Sequence, residues 1–356
     1  MTSLLGAPST STPAPRMRFA VDGWDPTYGS SLETEDDLGQ STARVVTNVE
    51  VPEDRWRPIS ADPTLARPST ILFIDGVRRI EARIWIDDLA PVGAVAALGG
   101  VTALGAVATE ASPALCASYA AGTVCCCAKG AHLLTIVPRR GLFTIAPHAV
   151  DVRTPAGTYT AHRTAADPER GLAITLSAAL QRRLADLEVL TAVAARNALP
   201  AHGITDGTDL LVIDGPLRGR QHLPRALGFI KSHRASYLPA ELHSIVGTLT
   251  AGQRTPVFLM GTSWDRHAWY LRLPGPAGAP WAGIVRLECG ADLPTTEAIT
   301  LANLSQAMLP RFASTEYKDS RAPQNLYPIG GLERELRRRL GDPAVLYRAL
   351  RKASFG

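Results

Sequence analysis

The strings Ile71-Leu72-Phe73-Ile74-Asp75-Gly76 and Leu210-Leu211-Val212-Ile213-Asp214-Gly215-Pro216-Leu217 share one pattern. In each, an apolar run of strand length ends in Asp-Gly, and the glycine lets the backbone turn sharply after the acid. The pattern predicts two buried strands, each with a carboxylate at its C-terminal end. Two carboxylates that converge from rigid strands are suited to divalent-metal chemistry. For either string alone, ordinary Asp-Gly turn chemistry is the competing interpretation.

The bulk composition is that of a soluble globular protein. The chain has 356 residues, 46% of them apolar, and a formal net charge of +4. Its mildly basic balance permits a polyanionic partner without demanding one. We expect a cytoplasmic protein, because no basic segment followed by an apolar core marks a secretory signal at the N-terminus.

Two other features have an ordinary structural interpretation. The five cysteines lack the Cys-x-x-Cys spacing of a zinc site, and the consecutive Cys125, Cys126 and Cys127 suit the core of a strand in a reducing compartment. The uncharged stretch 89–109 is long enough to span a membrane. It is rich in Ala and Gly and contains Pro91, which favours a buried segment instead.

The elements along the chain indicate an α/β protein. We expect an irregular arm or disordered segment over 1–68, a globular domain over 69–345 and a tail over 346–356. In the domain, the strand Ile71–Asp75 is followed by a separate hairpin strand near 79–86, and leucines at helical spacing predict a helix from Leu172 to about Asn197. Further strands are expected at 115–128, 132–137, 210–214, 227–231, 257–260, 269–273 and 283–288, and helices at 295–309 and 332–340. This order is compatible with a ribonuclease H-like mixed sheet flanked by helices.

A third acid and a cation accompany the two aspartates. Glu188 lies in the apolar face of the long helix, where a glutamate needs a partner such as a shared metal, although an exposed position at the edge of that face is equally compatible. Asp186 is the rival acid on another face of the same helix. Lys231 and His233 follow the strand 227–231, where they are candidates for phosphate contact or proton transfer, or else ordinary surface residues.

The C-terminal part of the domain is rich in polar groups ahead of a basic helix. Asp319 is a candidate fourth metal ligand, and Asn325 and Arg321 are candidate substrate contacts. Arg337 and Arg338 are positioned to face phosphates, or alternatively form a solvated helical face paired with nearby glutamates. Motifs for ATP hydrolysis, dinucleotide binding, serine hydrolysis and zinc proteolysis are not found in the sequence.

Together these strings resemble the successive motifs of the NurA-domain nucleases. The resemblance covers about residues 70–335 and is most specific in Asp214-Gly215-Pro216-Leu217 with the lysine-bearing strand Phe229-Ile230-Lys231-Ser232-His233. The end of the domain, with Arg321-Ala322-Pro323-Gln324-Asn325-Leu326, is similar to that of bacterial members. Two departures stand out. Val77 replaces the usual serine after the first Asp-Gly. Some relatives also place a histidine in the C-terminal part of the site, but this chain has no histidine after His267, so Asp319 or Asn325 would take that place.

The resemblance implies a ribonuclease H-like DNA nuclease that uses Mn²⁺ or Mg²⁺. It also implies a homodimer and a HerA-type hexameric translocase as partner in DNA end processing or defence. Carried over residue by residue, Asp75, Glu188 and Asp214 match the acidic ligands, and Lys231 is expected beside them. The alternative function is a non-catalytic binding or regulatory subunit of a motor ATPase, and a weaker one is another phosphoryl-transfer enzyme acting on RNA or transposon ends.

Overall fold

The computed structural model describes residues 43–87 and 111–354, apart from positions 168, 170, 206, 234 and 276–280. Residues 1–42 of the arm predicted for 1–68 lie outside the described residues. So does the uncharged stretch 89–109. None of the helices in the described part of the chain is long and apolar enough to cross a membrane.

Sixteen helices and strands make up the described fold, besides short 3₁₀ turns. The strands are β1 (Arg44–Val46), β2 (Thr70–Asp87), β3 (Ala111–Cys127), β4 (Gly130–Thr144), β5 (Val152–Thr154), β6 (Gly157–Arg163), β7 (Leu210–Asp214), β8 (Ala226–Ile230), β9 (Phe258–Gly261), β10 (Asp265–Arg272) and β11 (Ile284–Gly290). The helices are α1 (Leu172–Ala198), α2 (Ala240–Thr248), α3 (Thr295–Met308), α4 (Tyr327–Arg339) and α5 (Pro343–Ala353).

All the strands of the described residues join one sheet in the order β1-β9-β10-β11-β8-β7-β2-β3-β4-β6-β5. The pairs β2–β7, β7–β8 and β4–β6 are parallel, and the others are antiparallel. The fold is therefore α/β, with a large and mostly antiparallel mixed sheet flanked by helices. Its assignment as ribonuclease H-like stays a prediction.

The helices cover both faces of the sheet, as the alternation of apolar residues in the strands requires. In β2, Leu72 and Ile74 point to the face covered by α1, where Leu211 and Ile213 of β7 join them. Ile71 and Phe73 point to the opposite face, which is packed by α3 and the start of α4. We call these the α1 face and the α4 face. By the same alternation, Asp75 belongs to the α4 face and Gly76 to the α1 face.

The main difference from the sequence prediction concerns β2. Asp75-Gly76 was expected to end the strand, and 79–86 to form a separate hairpin strand. Instead one strand runs from Thr70 to Asp87 and pairs with β3 over its whole length, Gly76 opposite Ala121. Gly76 therefore sits within the ladder, so the first Asp-Gly is not a turn.

The C-terminal region also differs from the prediction, since most of the expected tail 346–356 belongs to α5. Leu346 and Leu350 bury that helix against the body. The helix α2 is a further element that was not predicted from the sequence. The long helix α1 and the strand β7 match their predicted bounds closely.

Part of the expected N-terminal arm is integrated into the fold. β1 pairs with β9, and the buried Trp56 donates a hydrogen bond from Nε1 to the carbonyl of Thr47 at 2.9 Å. The predicted placement of the consecutive cysteines in the core of a strand is confirmed: Cys125 and Cys127 pack on one face of β3, and Cys126 packs on the other.

Candidate active site

The two predicted acids lie side by side at the C-terminal end of β7. β2 and β7 run parallel, and their register pairs Ile74 with Ile213, so that the next residues, Asp75 and Asp214, are neighbours on the same face. Adjacent strands are about 4.8 Å apart. β7 ends at Asp214, whereas β2 continues, which leaves the acid pair at an indentation in the sheet.

The electrostatics of this pair is that of two carboxylates forced together. Asp75 is 6% exposed, and its Oδ1 accepts a hydrogen bond from the Gly76 amide at 2.7 Å. Burial raises the pKa of Asp75 well above its usual range, and the negative charge of Asp214 raises it further. Asp214 Oδ1 is buried and has no hydrogen-bond partner among the described residues.

Lys231 supplies the positive charge next to the pair. Its Nζ donates to Asp214 Oδ2 at 2.7 Å and to Asn325 Oδ1 at 3.1 Å. The Asn325 amide is fully buried and donates in turn to Asp319 Oδ2 at 2.6 Å. A chain of polar contacts thus runs from Asp214 through Lys231 and Asn325 to Asp319. The structure brings together two pairs of residues from separate regions of the sequence, since Lys231 and Asn325 are 94 positions apart.

Glu188 reaches the site from the α1 face. A Cβ added at Gly76 would overlap Glu188 Oε1 and would lie 2.9 Å from Leu184 Cδ1, so the Glu188 carboxylate packs directly on the Gly76 backbone. Glu188 is therefore buried, whereas its rival Asp186 is exposed. The backbone of β2 separates the Glu188 carboxylate from the face that carries Asp75.

The partner of Glu188 is an arginine that the sequence analysis missed. Arg220 Nε lies 2.8 Å from Glu188 Oε2, and both side chains are nearly inaccessible to solvent. Arg220 also donates from Nη1 to the carbonyl of Pro216 at 2.7 Å, which fixes it to the loop after β7. Burial raises the pKa of Glu188 to about 7, although Arg220 opposes the shift.

Glu333 is one of the glutamates expected to pair with the basic helix, and α4 places it on the face of the acid pair. Its negative charge contributes to the raised pKa of Asp75. Glu333 is engaged by two arginines, Arg321 and Arg337, the latter at 2.8 Å. Arg338 is exposed and pairs with Glu335 at 2.7 Å. The predicted phosphate contacts Arg321, Arg337 and Arg338 therefore all have carboxylate partners in this structure.

His233 lies in the core rather than on a surface where DNA would pass. Its ring is 3% exposed, contacts Trp281 and Tyr270, and has Nε2 3.1 Å from the carbonyl oxygen of Ile284. Burial lowers the pKa of His233 to about 4, so the ring is neutral near pH 7 and Nε2 is the donor in that contact. This burial argues against direct DNA contact.

Glu288 on β11 holds the loop that follows Asp214. This fully buried side chain accepts a hydrogen bond from the Leu217 amide at 2.8 Å, and its other oxygen lies 3.1 Å from Arg266 Nε. Its Cγ would lie 2.8 Å from a Cβ at Gly228, so only glycine leaves room for it there. The sequence signal for Glu288 was a lone acid in an apolar strand, which requires a buried partner.

The donor set suits a small hard cation held by two carboxylates. Across the described residues, no group of three or more His, Cys, Asp and Glu side chains is arranged to hold a metal ion. Mg²⁺ usually binds through one or two carboxylates together with water and substrate phosphates. Asp75 and Asp214, with their crowded charges and the unpartnered Asp214 Oδ1, meet that requirement. Glu188 and Asp319 already have protein partners.

Comparisons with known proteins find similarity among solved structures only. No protein-family model matches this chain, and no curated protein matches its sequence. Among solved structures, the crystal structure of the NurA nuclease from Sulfolobus solfataricus is similar with a TM-score of 0.39 and 10% sequence identity. The match covers 80% of this chain and 84% of that one.

Proposed function

We propose that this protein is a DNA nuclease that hydrolyses phosphodiester bonds with Mg²⁺ or Mn²⁺ bound by Asp75 and Asp214. One observation carries the proposal: the buried Asp75 and the half-buried Asp214 stand in register on adjacent parallel strands, where the charge of Asp214 makes ionisation of Asp75 less favourable. A protein retains such an arrangement at the expense of stability, and a cation between the acids would offset that cost.

Each side chain at the site has a defined task in this proposal. Asp75 and Asp214 supply ligand oxygens, and the bound ion would activate a water molecule and neutralise charge on the phosphodiester. Lys231 holds Asp214 Oδ2 in place and presents its ammonium group to a substrate phosphate. Asn325 orients Lys231, because its Oδ1 accepts one of the lysine's hydrogen bonds while Asp319 fixes its amide.

Glu188 takes a supporting position in the proposal. It is paired with Arg220, and it lies across the β2 backbone from the acid pair. Its charge still acts on both aspartates through the buried interior. We infer that Glu188 and Arg220 fix the loop after β7 relative to α1, and that direct metal ligation belongs to the two aspartates.

Cleavage of linear DNA with Mn²⁺ tests the proposal. We expect Asp75→Asn and Asp214→Asn to lower the rate at least about a hundredfold, since even residues that only support metal ligands typically cost tenfold to a hundredfold. Asp186→Asn is the matched control, because this exposed acid lies on α1 beside Glu188. Wild-type rates in both site variants would refute the proposal.

The stability of Asp75→Asn separates a functional acid from a structural one. The asparagine keeps an acceptor for the Gly76 amide and removes a buried charge that Asp214 repels. We therefore expect this variant to unfold at a temperature equal to or above that of the wild type while losing cleavage. If Asp75 were a structural acid, Asp75→Asn would unfold at a lower temperature than the wild type and would retain cleavage.

A non-catalytic subunit of a motor complex is the second candidate. The absence of a three-acid cluster from the described residues favours it, as does Val77 after the first Asp-Gly. Calorimetric titration with Mn²⁺ separates the two functions, because the subunit would bind no ion through Asp75. The HerA-type translocase and the homodimer stay predictions, which co-sedimentation of the purified proteins tests.

A further inference from the structure

A second polar site lies on the α4 face, away from the acid pair. It is a cavity of about 270 Å³ at the C-terminal end of α4, open to solvent on one side. The residues that line it include Ser118, Arg139, Arg140, Thr158, Thr160 and Arg339. Of those on the sheet, Ser118 and Arg140 belong to the α4 face, whereas the side chains of Arg139, Thr158 and Thr160 alternate to the other face. Of the described residues that line it, none is acidic.

The sheet register builds this cavity. Arg79 of β2, Ser118 of β3 and Arg140 of β4 stand in one row across the three strands. The row lies on the same face as Asp75, because Arg79 follows it by four positions in the same strand. Within this row, Arg79 is held by Glu81 at 2.8 Å and does not line the cavity, so Arg140 is the arginine of the row that faces it.

Two glycines leave the space that the Arg140 guanidinium group occupies. A Cβ at Gly157 would lie 2.5 Å from Arg140 Nη1, and one at Gly341 would lie 3.8 Å from Nη2. Both glycines have positive φ angles, of 127° and 87°. The guanidinium group is thus confined between two turns, which reduces the entropy lost when it binds a ligand.

The charge of Arg140 is uncompensated in the described structure. No carboxylate of the described residues lies within ion-pair distance of Arg140, and its buried Nε has no hydrogen-bond partner among them. Arg339 is paired with Glu335 at 2.8 Å, but Glu335 also serves Arg338. The cavity therefore holds more positive charge than its surroundings neutralise.

We propose that this cavity is an anion site that binds a phosphate group. Guanidinium groups offer paired donors that match phosphate oxygens, and the Ser118 hydroxyl, which is buried without a hydrogen-bond partner among the described residues, supplies a further donor on the same face. The source of the group is either a free phosphate compound or a strand of nucleic acid. The proposal is independent of the nuclease function, because the cavity shares no lining residue with the acid pair.

Calorimetric titration of the full chain with inorganic phosphate tests the site. We expect Arg140→Gln to weaken binding about tenfold or more, since a charge-assisted contact is lost. Arg339→Gln, on an exposed helix surface, should weaken it severalfold. Arg338→Gln is the matched control, because Arg338 shares the Glu335 contact but does not line the cavity, and its affinity should stay within about twofold of wild type.

Two outcomes would overturn the anion site. One is the absence of phosphate binding to the wild type, and the other is unchanged affinity in Arg140→Gln. If that variant does not fold, unchanged affinity in Arg339→Gln decides against the site. A competition with an oligonucleotide lacking a terminal phosphate identifies the source: displacement of phosphate indicates a strand of DNA, and no displacement indicates a free phosphate compound. Asp214→Asn should bind phosphate as the wild type does, even if cleavage is lost.

Discussion

The buried pair Glu188–Arg220 provides a sharp test of the geometry behind the site. Arg220→Met removes the guanidinium group and keeps an apolar side chain of similar length. Glu188 is then left as a buried carboxylate with no cation at 2.8 Å. Breaking a buried ion pair from one side costs about 3–5 kcal/mol when the remaining group stays charged.

The loss should depend on pH, because Glu188 titrates near neutrality. Its pKa in the folded protein is about 7, above the value of 4.5 for a free glutamate. The folded state therefore keeps the proton to higher pH, so this group's contribution to stability is complete below pH 4.5 and is lost as the pH rises through 7. Without Arg220 the pKa of Glu188 rises further, and the penalty for ionisation grows.

Chemical denaturation of the wild type and Arg220→Met measures the effect. We expect the variant to lose roughly 3 kcal/mol of unfolding free energy at about pH 8.5, and roughly 1 kcal/mol at about pH 5.5, where Glu188 is protonated and only the contact with the Pro216 carbonyl is lost. Adding Glu188→Gln to the variant should recover most of the loss at the higher pH. An equal loss at both pH values, or no recovery in the double variant, would refute the reasoning.

Three further predictions concern His233, Gly76 and Asn325. His233 has a pKa of about 4 in the folded protein and 6.5 when free, so the unfolded state is protonated first as the pH falls. The free energy of unfolding should therefore fall by roughly 3 kcal/mol between pH 6.5 and pH 4. His233→Leu should remove this part of the pH dependence in urea denaturation. Gly76→Ala should cost about 1–3 kcal/mol, because its Cβ would overlap the Glu188 carboxylate, and a loss below about 0.5 kcal/mol in the same assay would show that this contact is loose. Asn325→Ala should lower cleavage by about tenfold to a hundredfold through Lys231, whereas a change in substrate affinity with the turnover rate intact would assign the asparagine to binding instead.

The neighbouring positions of Asp75 and Asp214 could be predicted from the sequence, because in both strings the acid directly follows an apolar run of strand length. The sequence does not contain the register of β2 against β7, yet equal placement of the acids relative to their apolar runs was enough to bring them together. The same pattern misled at Gly76. Asp-Gly is typical of turns, but here the glycine makes room for Glu188 inside a long strand.

Arg220 could not be selected from sequence for a physical reason. The loop after β7 offers three arginines, at 218, 220 and 225, and the path of the loop over the sheet buries only Arg220. The burial of Glu188 was the available signal, since a buried glutamate requires a partner. The pairing of Glu333 with the basic helix could be predicted, but its place on the face of the acid pair could not, because its neighbours resemble a solvated face.

The number of Mn²⁺ ions bound per chain tests the central claim most directly. Electron paramagnetic resonance of free Mn²⁺, titrated against the protein, should show binding to the wild type and to Asp186→Asn. The same titration should show loss of that binding in Asp75→Asn and in Asp214→Asn. Mn²⁺ binding that persists at wild-type strength in both site variants would contradict the assignment of the acid pair as the metal site.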